Sequence, residues 1–377
     1  MSKKYFLICI LLVIISTCSI FVSIFPISAH AQDFLAFKAR LPLHILSSPS
    51  VTPQGLSPSN VKTVYHLPAS GGVGTIAIIG AFHDSEIESD LQAFSSAFNI
   101  PACTLKNKCF EIYSMSKTIK SDAGWALETS MDIEWAHAIA PNAHILLVEA
   151  PTQDGANLLK AVDYARNRKD VVAISMSWGG PEFSSETALE SHFISPFGAT
   201  FFASSGDKGA GVNWPAVSQH VVAVGGTHLN FTALRVFSSE KAWDGSGGGV
   251  SAYIKQPSYQ ASYSLIRAKG MRAIPDVSYN ADPLSGFSVY DSFGYKGKKG
   301  WFTLGGTSAG APQWAAIKAL GNSADNNLFY SDKASVSNSL FFRDITNGTN
   351  GNCGYFCTAR KHYDYVTGLG SPLTSEF

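Results

Sequence analysis

The sequence predicts an α/β protein, a single domain organised on a mostly parallel, doubly wound central sheet flanked by helices. Two observations carry that expectation. Five apolar runs, GTIAIIG (74–80), HILLVEA (144–150), VVAISMS (171–177), ATFFASS (199–205) and VVAVGG (221–226), are near-continuous rather than alternating, as strands buried on both faces of a parallel sheet are. Between them lie stretches of helical period around 85–98, 124–139, 155–168 and 185–196. No internal repeat or linker interrupts this alternation, so one sheet is expected, with function at the carboxyl ends of its strands.

Taken in chain order, the first segment is MSKKYFLICILLVIISTCSIFVSIFPISAHAQ. Two lysines, an apolar run from Tyr5 to Phe25 and the small-x-small triplet Ala29-His30-Ala31 read as a secretory signal cleaved after Ala31, which predicts an extracellular protein. An uncleaved anchor is the alternative, because the run is long enough to span a bilayer. After cleavage no membrane association is expected. The Pro- and Ser-rich stretch that follows gives a short leader, 32–50, and the folded domain is expected over 51–377. Residues 227–300, rich in Gly, Ser and Tyr, suggest loops and short strands covering the sheet.

Lys and Arg number 28 and so do Asp and Glu, so no electrostatic footprint points to nucleic acid or an anionic membrane as a partner. A monomer is expected. Cys9 and Cys18 leave with the signal. Cys103, Cys109, Cys353 and Cys357 remain as two close pairs, which predicts two short disulfide loops in an exported protein. A zinc site at Cys353, Cys357 and His362 lacks a second ligand pair.

GGTSAGAPQW (305–314) places Ser308 where a strand feeds a helix. Backbone donors and the positive helix end converge there, which suits an oxyanion. An N-cap serine is the ordinary reading of such a residue. A serine hydroxyl needs a base, and the histidine motif of a Ser-His-Asp enzyme is missing: the first strand ends Gly80-Ala81-Phe82, and no histidine follows His83 in a matching helix-start motif. The helix AGWALETSMDIEWAHAIAP offers carboxylates instead. Glu128 and Asp132, four apart, project from one face in a stripe with Met131, Trp135 and Ile139. A buried carboxyl pair shares protons and titrates as a unit, giving a base that works in acid, where histidine is already protonated. Asp207, in Ser205-Gly206-Asp207-Lys208-Gly209 after a strand, lies on the functional rim. Kept protonated, it can donate to an oxyanion; as a turn aspartate it would only cap its own loop.

With Glu128-Thr-Ser-Met-Asp132 and the following IEWAHAIAP, Ser205-Gly206-Asp207, Gly306-Thr307-Ser308-Ala309 and the tail YDYVTGLGSP in that order, the chain from about Val51 to Pro372 resembles the sedolisins, serine-carboxyl peptidases of subtilisin-like fold. The resemblance implies an acid-acting endopeptidase, or a tripeptidyl-releasing relative, acting on peptides or proteins. It implies Ser308 as nucleophile, Glu128 as its general base, Asp132 supporting the glutamate, and Asp207 in the oxyanion hole; the Ser308 hydroxyl is expected within hydrogen-bond reach of Glu128, and Glu128 in contact with Asp132. SMSWGG resembles the strand that pairs with substrate backbone, so Ser177, Trp178 and Gly179 are expected in the cleft. The family's structural calcium would fall on RDITNGTNG and ARKHYDYVTG. Asp344 and Asp364 would give side-chain oxygens, and Ile345, Arg360 and His362 carbonyls; the last two stand where glycines are usual.

The resemblance also implies a large folded propeptide, whereas the domain here starts about twenty residues after the signal, so inhibition is either unnecessary or supplied by something else. A histidine-triad subtilase, a catalytically inactive peptide-binding protein of the same fold and a calcium-dependent surface-binding protein are the competing functions.

Overall fold

A computed structural model describes residue 34 and residues 36–377, apart from 262, 264, 322 and 332–337. The signal segment 1–31 lies outside the described residues. Among those described, no helix is long and apolar enough to cross a membrane.

The principal strands are β1 (His44–Ile45), β2 (Thr75–Ala81), β3 (Phe110–Ser114), β4 (His144–Ala150), β5 (Val171–Met176), β6 (Thr200–Ser204), β7 (Val221–Phe231), β8 (Phe237–Ala242), β9 (Val277–Asn280), β10 (Phe287–Tyr295) and β11 (Lys298–Gly305). The principal helices are α1 (Pro58–Val64), α2 (Ile87–Phe98), α3 (Ala123–Ile139), α4 (Gly155–Arg166) and α5 (Gly310–Ala319). The central sheet has the order β8-β7-β6-β5-β2-β4-β3, with β9 pairing to β7. All its pairings are parallel except β8 with β7. This is the predicted doubly wound sheet of a subtilisin-like fold.

The continuous apolar runs are explained by burial on both faces. Ile76 and Ile78 pack into one core with α2, α3, α5 and the β10–β11 hairpin. Ala77 and Ile79 point the other way, into a core with α4. Strands β2 and β4 run in register from Thr75 opposite His144 to Ala81 opposite Ala150, so their carboxyl ends, and those of β5 and β6, open on one rim.

Three details depart from the sequence expectation. The stretch expected as a helix over 185–196 forms 3-10 turns from Glu186 to Phe193; only those two end residues are buried, so no continuous apolar face holds an α-helix there. Strand β3 was not expected, since it is a half-exposed edge whose Tyr113 faces solvent. The leader, expected to precede a folded domain at 51–377, is itself part of the fold: Phe37 and Ala39 are buried in the α4-side core, and β1 pairs antiparallel with β11. Both expected disulfides are present, Cys103–Cys109 and Cys353–Cys357, with Cα–Cα distances of 4.9 and 5.2 Å.

Four carboxylic acids, Asp84, Asp90, Glu134 and Asp291, are buried where α2, α3 and β10 meet. Backbone donors serve each of them: Glu86 on Asp84, Ser292 on Asp90, Tyr290 on Glu134 and Gly294 on Asp291. One oxygen each of Asp84, Glu134 and Asp291 has no partner. Burial pushes all four up, Asp84 to about 7 and Asp90 to about 6, and repulsion from neighbouring acids adds to it at Asp84, Asp90 and Glu134. The folded state therefore holds these protons more tightly than the unfolded chain does, and stability falls as pH rises from ordinary carboxyl values through that range. Burial depresses His137, His144 and His220 and acts in the opposite sense, so the informative quantity is a difference between variants. Between about pH 4.5 and pH 7.5 the melting temperature of Asp84→Asn should decline less than that of the parent, by a few degrees. Parallel slopes in calorimetry, both measured on a Ser308→Ala background, would show that the cluster does not set the pH dependence.

Candidate active site

Helix α3 runs through the middle of the molecule. Asp122 caps it, accepting from the backbone N–H groups of Gly124 (2.9 Å) and Trp125 (3.0 Å). Every residue from Trp125 to Ile139 is buried, including Glu128 (2% exposed) and Asp132 (3%). Such a helix has no solvated face on which two carboxylates could sit. Ser177, just past β5, donates from its hydroxyl to Asp132 Oδ1 (2.7 Å) or to the Ser308 carbonyl (3.1 Å). Among the described residues neither oxygen of Glu128 has an aligned hydrogen-bond donor. Burial pushes both acids well above the usual carboxyl range, and Asp132 raises Glu128 further.

Ser308 is delivered by β11. The chain leaves it at Gly306 (φ 126°), makes a 3-10 turn over Thr307–Ala309 and enters α5. Ser308 is completely buried, and its hydroxyl donates to the Pro42 carbonyl at 2.5 Å. It is close enough to Glu128 for its hydroxyl to lower that acid's pKa, the reach expected from the sequence, while the aligned hydrogen bond it donates goes to the Pro42 carbonyl. Asp207 follows β6. Its Oδ1 accepts from the Thr307 N–H (2.8 Å) and hydroxyl (2.7 Å). Its Oδ2 accepts no aligned hydrogen bond, although His44 Nε2 stands 3.2 Å away. A methyl at Gly306 would meet both the Pro42 oxygen (2.0 Å) and Asp207 Oδ2 (2.7 Å). Glycine is required there both for its φ and because a carbonyl and a carboxyl converge on its bare Cα.

The Pro42 carbonyl belongs to a strand-like segment laid across the rim. The Ala39 N–H bonds to the Gln153 carbonyl (2.9 Å), beyond β4. Arg40 exchanges both backbone hydrogen bonds with Gly179, at 2.8 and 3.1 Å, beyond β5. His44 and Ile45 then pair with Gly305 and Leu304. The cavity beneath is lined by Gly179, Gly180, Pro181, Ser204, Gly206 and Asn213. The segment thus sets a backbone carbonyl group beside the serine hydroxyl; for attack on the carbon the hydroxyl must turn its proton from that oxygen to a base.

Of the three cleft residues expected from SMSWGG, Gly179 meets this peptide. Ser177 faces Asp132, and Trp178 is buried with its indole N–H on the Ile79 carbonyl (2.9 Å), supporting the cleft from behind. In the expected calcium loop, His362 adopts the left-handed conformation (φ 66°) that a glycine would take. The Arg360 guanidinium sits over the Tyr355 ring, 4.5 Å from its centroid. Asp364 accepts from the backbone N–H groups of Arg360, Val366 and Thr367 and from the Thr367 hydroxyl. Asp344 accepts the His362 N–H, while its Oδ1 is buried without a partner. Arg40, Pro42 and His44 are the residues that sequence reasoning missed. They sit in a stretch of weak periodicity, and nothing local marks where it folds back.

The subtilase family model matches residues 122–349, the span that holds α3, Asp207 and Ser308. Kumamolisin from a Bacillus species is 32% identical over 86% of this chain and 63% of its own length. Sedolisin from a Pseudomonas species is 27% identical over 85% of this chain and 60% of its own length. The chain thus spans rather less than two thirds of these relatives. The solved structure of Pseudomonas sedolisin with pseudo-iodotyrostatin superposes with a TM-score of 0.72, over 85% of this chain and 96% of that one. Strand order, the carboxyl pair in a buried helix and the serine after β11 therefore have one common explanation: the chain belongs to the subtilase family, in its sedolisin branch.

Proposed function

We propose that this protein is a serine-carboxyl peptidase that hydrolyses peptide bonds in acid. The observation that carries the reading is the Ser308 hydroxyl set 2.5 Å from a backbone carbonyl oxygen, beside a buried Glu128–Asp132 pair. Ser308 attacks the carbonyl carbon as Glu128 takes its proton. Asp132, held by Ser177, shares the pair's remaining proton and so keeps a charge on Glu128 without leaving two charges buried together. The carbonyl electrons move onto oxygen, where protonated Asp207 donates a hydrogen bond. Collapse expels the amine, which takes the proton back from Glu128. Water then hydrolyses the acyl group on Ser308 by the same route. Gly179 binds the substrate backbone through the two bonds that Arg40 now makes.

Two further parts of the reading rest on sequence. Residues 1–31 would be a secretory signal cleaved after Ala31, giving an extracellular monomer. One calcium ion would be held by Asp344 and Asp364 with the carbonyls of Ile345, Arg360 and His362. Its support is the unpartnered buried oxygen of Asp344, a hard ligand of the kind calcium takes, and the ring that occupies the Arg360 charge.

Glu128→Gln keeps the shape but cannot accept a proton, so kcat should fall about a hundred- to ten-thousand-fold with the melting temperature not lowered; parent-like turnover on casein would reject the mechanism. Activity should be bell-shaped with its maximum below about pH 5, because the carboxyl pair must lose a proton while Asp207 keeps one. Asp207→Asn should be slower but should decline less steeply as pH rises, since an amide donates at every pH. A parent maximum at about pH 7 to 8 would require a histidine-like base instead. Chelation should lower the melting temperature if the loop holds calcium, and an unchanged melt would mean that hydrogen bonds alone hold it.

A further inference from the structure

The loop between α2 and β3 meets the last turn of α3 through three side chains. Among the described residues, Cys103, Cys109 and His137 are the one set of three His, Cys or acidic side chains whose ligand atoms all lie within 4.8 Å of one another. Cys103 and His137 are fully buried and Cys109 is half-buried. In the folded chain the two sulfurs are bonded to each other, so all three ligands become available only when that bond is open.

His137 is the residue that points to a ligand. Its Nε2 lies 2.7 Å from the Pro101 carbonyl oxygen. A carbonyl only accepts, so Nε2 bears the proton and Nδ1 keeps a lone pair. Nδ1 is buried with no hydrogen-bond partner among the described residues, an orphan that packing alone does not explain. An imidazole with one N–H fixed on a backbone carbonyl and its other nitrogen bare is the usual arrangement of a metal-bound histidine. The residue also sits in the last turn of α3, where the helix end favours positive charge.

We propose that Cys103, Cys109 and His137 form a site for a thiophilic divalent ion of the zinc class once a dithiol has opened the Cys103–Cys109 bond. The dithiol gives two electrons and two protons and closes to its own disulfide, leaving two thiols on the chain. The ion takes both sulfurs as thiolates, releasing those two protons, together with the Nδ1 lone pair, and water completes the fourth position. Two thiolates and a neutral imidazole cancel the charge of the ion, so the buried group is neutral as a whole. The Lys62 charge, which reaches His137, favours thiolate over thiol.

The loop is held in place without the bridge. Asn107 Oδ1 accepts from the backbone N–H groups of Thr104 and Cys109, both at 3.0 Å, and its Nδ2 donates to the Ala102 carbonyl at 2.8 Å. The Leu105 N–H donates to Glu88 of α2 at 2.9 Å, and the Cys109 carbonyl accepts from Ile145 of β4 at 2.8 Å. With the two Cα atoms 4.9 Å apart, the sulfurs need part only to about 3.8 Å, the edge of a tetrahedron built on zinc–sulfur bonds. Cys353 and Cys357 have no third side-chain ligand within that reach among the described residues, so they serve as an internal control.

The test uses the full chain with Ser308→Ala, to prevent self-digestion, reduced with dithiothreitol, freed of it under argon and titrated at about pH 7 with cobalt(II) as the coloured stand-in for zinc. One equivalent should give thiolate-to-cobalt charge transfer in the near ultraviolet and the visible bands of tetrahedral cobalt, both displaced by zinc(II). The unreduced protein should give neither. Cys103→Ser with Cys109→Ser should abolish the signal, Cys353→Ser with Cys357→Ser should leave it, and His137→Gln should weaken binding at least about tenfold. Cadmium-113 NMR of the loaded parent reads the donor set with no change at the site and should report two sulfur ligands. No charge transfer in the reduced parent, a signal that survives the loss of Cys103 and Cys109, an affinity unmoved by His137→Gln, or any other sulfur count overturns the proposal. So does a reduced protein whose near-ultraviolet circular dichroism is lost before metal is added, because the loop would then not hold its ligands in place.

Discussion

Two carboxylic acids inside a helix with no exposed face are the constraint on which the rest of the site is built. A charged pair at the Glu128–Asp132 spacing costs a few tenths of a kcal/mol on an exposed helix and far more when buried. The cost is contained by letting the pair keep protons, and the fold supplies what that requires. Asp122 fixes the register of α3, the sheet and the β10–β11 hairpin seal it, and Ser177 ties Asp132 to the end of β5. The Glu128 oxygens, buried and without an aligned donor among the described residues, are then left to accept a serine proton.

The same reliance on protons recurs beyond the site. Asp84, Asp90, Glu134 and Asp291 are buried with backbone donors, and among the described residues no cation is bonded to them. Glu186 is pushed to about 9 by burial and by Glu182. Burial holds the protons of these acids beyond the usual carboxyl range. At higher pH the same groups become unpaired buried charges.

The sheet was legible because burial on both faces leaves a continuous apolar signature at β2, β4, β5, β6 and β7. The edge strand β3 was not, since half of it faces water and its pattern matches a loop equally well. Within the site, Ser308, Glu128, Asp132 and Asp207 were legible as residue types at element ends or on one helix face, and the fold brings all four to one place. What could not be read was the orientation of the serine. That depends on Pro42, a residue 266 positions away, and long-range pairing of a Pro- and Ser-rich segment leaves no local period. Trp178 was misplaced for a related reason: strand-end position predicts nearness to the cleft but not which side of the backbone a large ring takes.

The central claim is that Glu128 and Asp132 titrate as one unit that holds a proton beyond the ordinary carboxyl range. Carbon-13 NMR of side-chain-labelled Glu and Asp in the Ser308→Ala protein, with Glu128→Gln and Asp132→Asn to assign the signals, measures this without any turnover. The account predicts two separate steps shared by both signals, the later one well above about pH 4.5, collapsing to a single step when either residue is changed to its amide. Two independent titrations near the ordinary values, each unaffected by loss of the other residue, would contradict it.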